Sequence, residues 1–202
     1  EPVQGFNGAR TCSPEFLQAA RRICDERGAM LLFDEVQIGT GRSGHFTAAE
    51  SFGVVPDALS MAKGLASGLP IAAVLAAGSL VDDIRIGDLG STFGGGPVPC
   101  AAALATLDVI DSEDLLANTR NVSAMLMAEA ARMPAVRAVH GRGFLIGLEL
   151  DRPAAPVQRE LWQQRVLTGT ATQPDTLRLL PPLSFTTDEA RLLLDALARV
   201  LT

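Results

Sequence analysis

At 202 residues, with 48% hydrophobic and 20% charged side chains, the chain is long enough for a domain plus a smaller lobe and too apolar to stay disordered. A formal net charge of −6 argues against nucleic acid or an anionic membrane as partner, because phosphate contacts need clustered Lys and Arg, and no apolar run approaches the ~20 residues of a membrane span. Three scattered cysteines (Cys12, Cys24 and Cys100) form neither a disulfide framework nor a zinc motif and point to a reducing, cytoplasmic setting, while the absence of an initiator Met at Glu1 suggests a piece of something longer.

Ser13-Pro14-Glu15 opens the first predicted helix, with Ser as cap, Pro at the first helical position and an acid in the first turn; Phe16, Leu17, Ala20 and Ile23 give it an apolar stripe and Gly28 ends it. Met30 to Phe33 reads as a buried parallel strand ending at Asp34-Glu35, and the runs 58–61 and 72–76 read as two more strands. Strands alternating with helices indicate α/β architecture with a mainly parallel sheet. An alanine-rich helix is expected over 97–110, and another, capped by Ser112-Glu113-Asp114, to about Met133. The texture then changes: 136–139 and 144–150 look like strands joined by Gly141-Arg142-Gly143, with further short strands near Val166 and Leu177. Thr186-Thr187-Asp188-Glu189 is a capping-box pattern before a last helix with Ala190, Leu193, Leu194 and Leu197 on one face. A boundary near residue 112 divides the chain into an α/β part, 1–111, and a smaller α+β part, 112–202.

Gly39-Thr40-Gly41-Arg42-Ser43-Gly44 matches G-x-G-x-x-G after a strand, the dinucleotide fingerprint. The preceding acids would repel a pyrophosphate, only about two helical turns fit before the next strand, and no acid lies ~20 residues on to meet a ribose. These glycines are read as serving turn geometry.

The chain holds sixteen arginines and one lysine, Lys63. Only the lysine amine can deprotonate and attack a carbonyl, so a lone Lys in an Arg-saturated chain is a candidate for chemistry, although codon bias produces the same count. Asp34 stands at the carboxyl end of a strand, Lys63 follows the next strand, and the stretch 87–97 is glycine-rich, carries the hydroxyls of Ser91 and Thr92, and precedes a helix, which suits an anion. An amine nucleophile, a buried acid and a phosphate-like cradle together describe a pyridoxal phosphate site.

The segments 1–5 (Glu-Pro-Val-Gln-Gly), 32–37 (Leu-Phe-Asp-Glu-Val-Gln), 39–44, 56–64 and 90–95 closely resemble the class III aminotransferases, most of all the acetylornithine and ornithine branch. The resemblance implies a fold-type-I, aspartate-aminotransferase-like enzyme, with 1–111 as the rear of the large cofactor-binding domain and 112–202 as the small domain. It implies pyridoxal 5'-phosphate as cofactor, an amino-acid donor and a 2-oxo acid acceptor as substrates, and a homodimer. Residue by residue, Asp34 would bind the ring nitrogen, Glu35 would belong to the same cofactor-contacting segment, Val36 would pack on the ring, and Gln37 would reach the phenolate oxygen. Lys63 would hold the cofactor, Thr92 would contact the phosphate of the neighbouring subunit, Ser91 would lie near the substrate, and Arg178 would grip the substrate α-carboxylate with its planar fork.

Two positions depart from that pattern. Phe6 stands where the branch usually has a Glu that pairs with the carboxylate-gripping arginine, and Gly96 replaces an Asn; the family's upstream half has no counterpart here. The expected reaction is transfer of an amino group from an ornithine- or lysine-like ω-amine to 2-oxoglutarate, with a decarboxylase, an aminomutase or a non-catalytic fragment as alternatives. These 202 residues alone are expected not to transaminate.

Overall fold

The structure, a computed structural model, describes residues 1–82 and 84–202. Two short strands, β1 (Val3–Gln4) and β2 (Arg10–Thr11), pair antiparallel and form an N-terminal hairpin whose turn carries Gly5, Phe6 and Asn7. Helix α1 (Pro14–Arg27) starts as its sequence requires, with the Ser13 hydroxyl accepting from Phe16 N–H at 3.2 Å, and stops at Gly28, where φ is 62°. Of its expected stripe, only Leu17 is buried; Phe16 and Ile23 are exposed.

Strands β3 (Leu32–Asp34), β4 (Ala58–Met61) and β5 (Ala73–Ala76) form a three-stranded sheet with β4 in the centre. β3 and β4 run parallel, with Asp34 opposite Ser60, and β5 joins antiparallel. A five-residue helix, α2 (Ala48–Phe52), with a complete capping box from Thr47 and Glu50, fills the crossover between β3 and β4. At the sheet's base the Asp57 carboxylate accepts from Arg21 at 2.7 Å and from Leu31 N–H at 2.6 Å, tying α1 to both parallel strands. Val3, Phe33, Ile38, Phe52, Leu59 and Met61 make the core of this part. Leu32 on β3 and Val74 on β5 are exposed, so the reading of β3 as a buried strand fails for the chain as described.

A 3-10 turn at Lys63–Ala66 follows β4, a short helix, α3 (Gly78–Val81), follows β5, and α4 (Pro97–Ser112) leads to α5 (Leu115–Ala130). The second sheet has the order β6-β7-β9-β8, all antiparallel, from β6 (Val136–Arg142), β7 (Leu145–Leu150), β8 (Gly169–Thr170) and β9 (Thr176–Leu179). Helices α5, α6 (Ala154–Gln163) and α7 (Thr187–Leu201) pack with it around Leu126, Ile146, Leu148, Leu161, Leu177 and Leu197. The Thr186–Glu189 capping box starts α7 as its sequence indicates. The strand expected near Val166 begins instead at Gly169, because Arg165 turns left-handed (φ 64°) and Val166 N–H closes α6 onto Leu161. No helix among the described residues is long and apolar enough to cross a membrane.

Candidate active site

The parallel ladder does the first piece of positioning. Asp34 ends β3 opposite Ser60, and Lys63 follows Ser60 by three residues, so both functional groups stand at the carboxyl end of neighbouring strands, where open α/β sheets bind ligands. One Asp34 oxygen, Oδ1, accepts from Val36 N–H at 3.0 Å and from the Ser60 hydroxyl at 3.4 Å; among the described residues Oδ2 accepts nothing.

Lys63 opens the 3-10 turn at φ 49°, a left-handed conformation that favours glycine. It lines a cavity of about 800 Å³ together with Val36, Gln37, Gly39, Thr40 and Arg42. Two more lining residues, Thr40 (φ 54°) and Ser67 (φ 49°), are also left-handed without being glycine. Each such residue costs on the order of 1–3 kcal/mol, and three around one cavity mark a place where the fold gives up local preference. The apolar face of α4, including Ala105 and Val109, forms the opposite wall, with Leu180 and Leu183 following β9 closing one end. Ser67 and Thr106 hydroxyls, 3.0 Å apart, join the Lys63 turn to α4.

The other expected site residues divide. Val36 and Gln37 do line the cavity beside Lys63. Gln37 lies over Gly5 so closely that a Cβ there would come within 2.5 Å of its amide, and its Nε2 donates to Glu1 at 3.3 Å. Ser91 and Thr92 are exposed in the glycine-rich loop before α4 and are not among the lining residues. Arg178 is not either: on β9 it pairs across to Gly147 and Gly169, its Nε donates to Thr170 O at 2.7 Å, and its Nη1 donates to Gly5 O at 3.1 Å. Burial pushes its pKa below the usual guanidinium value.

The buried acid of the Asp34-Glu35 pair is Glu35, contrary to expectation, and it does not face the cavity. Asp34 is exposed, whereas Glu35 is 1% exposed and accepts from the N–H groups of Ala48 and Ala49 at 2.6 and 2.8 Å. Its carboxylate is thus occupied by the start of α2. Burial raises its pKa, and the two backbone hydrogen bonds offset part of that rise.

Arg42, not singled out from the sequence, is the second cation on the cavity wall. Its Nη1 donates to the carbonyls of Phe144 (3.2 Å) and Pro181 (2.9 Å), its own carbonyl accepts from Phe144 N–H at 2.8 Å, and no carboxylate lies within 4.0 Å of it among the described residues. Burial lowers its pKa. The signal that could have found it was the glycine spacing around it. Gly41 and Gly44 are left-handed, and a Cβ on either would strike Leu183 or Arg120, so this loop is built for contact with the C-terminal part.

The cavity lining offers one primary amine, an apolar Val36 for a ring face and an amide, which suit an aldehyde-bearing, electron-poor aromatic cofactor; Asp34 is not on that lining but stands at the same strand ends, with Oδ2 unbonded among the described residues.

Comparison with known proteins gives the same direction. The family described as aminotransferase class-III matches residues 1–201. Acetylornithine aminotransferase 1 of Bordetella bronchiseptica is 42% identical over 100% of this chain and 51% of its own length. The crystal structure of the ornithine aminotransferase of Toxoplasma gondii ME49 superposes with a TM-score of 0.92 at 31% identity, covering 99% of this chain and 49% of that one. An amine transaminase from an uncultivated Pseudomonas species, solved in its PLP-bound form, superposes at 0.90 with 33% identity over 99% of this chain and 50% of its own. The chain spans about half the length of the relatives it matches.

Proposed function

Because this chain belongs to the class III aminotransferases, we propose that the protein it forms moves an amino group from an ornithine-like donor (acetylornithine, ornithine or a lysine-type ω-amine) to 2-oxoglutarate, with pyridoxal 5'-phosphate held at Lys63. The observation that carries this reading is the position of the chain's one lysine, on the cavity wall beside Val36 and Gln37 and at the same strand ends as Asp34.

When bound, the cofactor supplies an electron sink for proton loss at the carbon that bears the donor amine. The chain's own residues do the rest. Lys63 Nζ holds the cofactor and, once displaced by substrate, carries the proton from that carbon. The free Oδ2 of Asp34 meets the ring nitrogen and keeps it protonated, while the bonds from Val36 N–H and Ser60 to Oδ1 fix the carboxylate's plane. Val36 would pack on the ring face and the Gln37 amide would reach the ring oxygen. Arg178 takes the substrate carboxylate. Thr92, exposed in its loop, serves the phosphate of a second copy of the chain in a homodimer, and Ser91 lies near the substrate. The division at residue 112 separates the half-domain that carries Lys63 from the small domain that carries Arg178. The free cysteines fit a reducing compartment such as the cytoplasm.

Borohydride treatment of the cofactor-loaded protein tests the central assignment, since it fixes a pyridoxyl group on the lysine that holds this cofactor. The expected result is a label on the peptide containing Lys63; a label found only on peptides lacking Lys63 overturns the assignment. Glutamate formation from acetylornithine or ornithine with 2-oxoglutarate tests the substrates, and its absence with every donor of that class removes them.

A further inference from the structure

We propose that Phe6 is a specificity-determining residue, holding the Arg178 guanidinium by its face so that its N–H edge stays open to a substrate carboxylate at all times. The inference rests on the reading of Arg178 as the carboxylate-binding residue and concerns what sits beside it.

The Arg178 guanidinium carbon lies 4.6 Å above the centre of the Phe6 ring. The ring is held in place through its own backbone, whose carbonyl accepts from Thr172 N–H at 2.9 Å and from the Thr172 hydroxyl at 3.1 Å, across 166 residues of sequence. Gly5, immediately before it, offers its carbonyl to Arg178 Nη1. The N-terminal hairpin therefore grips the guanidinium twice, once by a hydrogen bond in the plane and once by an aromatic ring on the face. A guanidinium carries five N–H hydrogens. The bonds to Thr170 and Gly5 use one on Nε and one on Nη1, so both hydrogens of Nη2 and one of Nη1 have no acceptor among the described residues. No carboxylate lies within 4.0 Å of the group among those residues.

The choice of neighbour decides what a substrate meets. A carboxylate beside an arginine neutralises it and occupies the N–H groups that a substrate needs, so a substrate must first displace it. An aromatic ring attracts the cation through its π face, orients it, and takes no N–H. With Phe6 the clamp is pre-oriented and never self-occupied. Phe6 is also largely exposed, at 62%, so it adds an apolar wall beside the carboxylate site. A substrate that presents a carboxylate to Arg178 therefore meets the cation without first displacing a neighbour.

The test uses the cofactor-loaded protein with three variants at position 6 and one at 178. Two readouts are taken: KM against kcat for each substrate, and calorimetric binding of glutarate, a dicarboxylate with no amine to react. Phe6→Glu is expected to raise KM for carboxylate substrates and weaken glutarate by roughly tenfold or more, with kcat changed little, because the new carboxylate occupies the clamp. Phe6→Leu should weaken both by about three- to tenfold through loss of the π face, and Phe6→Tyr should restore them. Arg178→Gln should weaken glutarate in every background. Unchanged KM and glutarate binding in Phe6→Glu and Phe6→Leu, with Arg178→Gln still impaired, overturns the role of Phe6 while leaving the clamp in place. If Arg178→Gln is also unchanged, the clamp reading itself is wrong.

Discussion

Asp34 and Glu35 are adjacent carboxylates with opposite surroundings. Successive residues at the end of a strand point to opposite sides of the sheet, so only one of the pair can face the ligand end. The other turns under the loop and finds the two N–H groups at the start of α2. Sequence shows the pair and the alternation but not which side is which, because that depends on where α2 begins. Lys63 was legible as the chain's one lysine just after β4, whereas Val36 and Gln37 came only from the resemblance to the class III aminotransferases; all three line the cavity. At Arg178 the expected outcome of substitution follows from bond geometry. Lysine keeps the charge but loses the second prong, so Arg178→Lys should lower kcat/KM for carboxylate substrates roughly tenfold or more, the ~1.5–3 kcal/mol of a charge-assisted hydrogen bond. Cofactor absorbance should stay as in the parent protein. Steady-state kinetics with each donor checks this, and an unchanged kcat/KM for all donors would place the carboxylate elsewhere.

Among the elements, chemical punctuation marked several ends correctly and misled at one: Ser112 closes α4 rather than capping α5, which follows a left-handed Asp114 with no side-chain cap bond. Ser13 and the Thr186–Glu189 box mark the starts of α1 and α7, and Gly28 ends α1. Helix α6 was missed because Pro153 and Pro156 look like breakers, yet proline is tolerated in a first turn, where the N–H has no helical partner. The N-terminal hairpin was missed because its strands are two residues each and are held by contact with the distant second sheet, where Gly147 leaves room for the backbone at Gly8. At the base of the first sheet, Asp57 joins α1, β3 and β4, and the Arg21 guanidinium with the Leu31 N–H holds its carboxyl below the usual range. A carboxylate with a depressed folded pKa contributes stability that is present above its unfolded value, about 3.9, and is lost as pH falls through the lower folded value. Asp57→Asn should therefore lower Tm at pH 7, with the difference from the parent shrinking as the pH is taken below that window. Thermal melts across the acid range check it, and a Tm difference independent of pH would mean that the ion pair is not the source.

The whole molecule carries a broad apolar surface. Leu32 on β3, Val74 and Leu75 on β5, and Phe16 and Ile23 on α1 are all exposed around one three-stranded sheet. Exposed strand edges and apolar faces of this kind favour association. The chain also spans about half the length of its relatives, and Thr92, proposed for the phosphate, is not on the cavity lining. These 202 residues by themselves are expected to aggregate, or to need a further segment or polypeptide, and not to turn over an amino acid with 2-oxoglutarate. Size-exclusion chromatography with an assay on the purified chain checks both parts; a monodisperse, active preparation would mean that this half of the fold holds a complete site. Periodicity does not show which strands stay exposed; the expectation came from the resemblance, whose upstream half has no counterpart in these 202 residues.

The attachment of the 39–44 loop has a mechanical side. A body pinned at one point swivels, whereas one pinned at several does not. Arg42 meets the C-terminal part through its carbonyl and through Nη1 at two different carbonyls, and Arg120 Nη1 reaches the Gly44 carbonyl at 2.5 Å. Gly143 seats its backbone where a Cβ would come within 2.1 Å of the Arg42 oxygen, so there is no play in the joint. Loop and second sheet thus form one stiff bracket, carrying Thr40 at one end and Leu180 and Leu183 at the other. The α4 wall meets the Lys63–Ala66 turn by close packing and, among the described residues, by one pair of hydroxyls, Ser67 and Thr106. The two sides of the cavity are therefore secured differently: directional hydrogen bonds fix the bracket, and packing with one hydroxyl pair holds the helix.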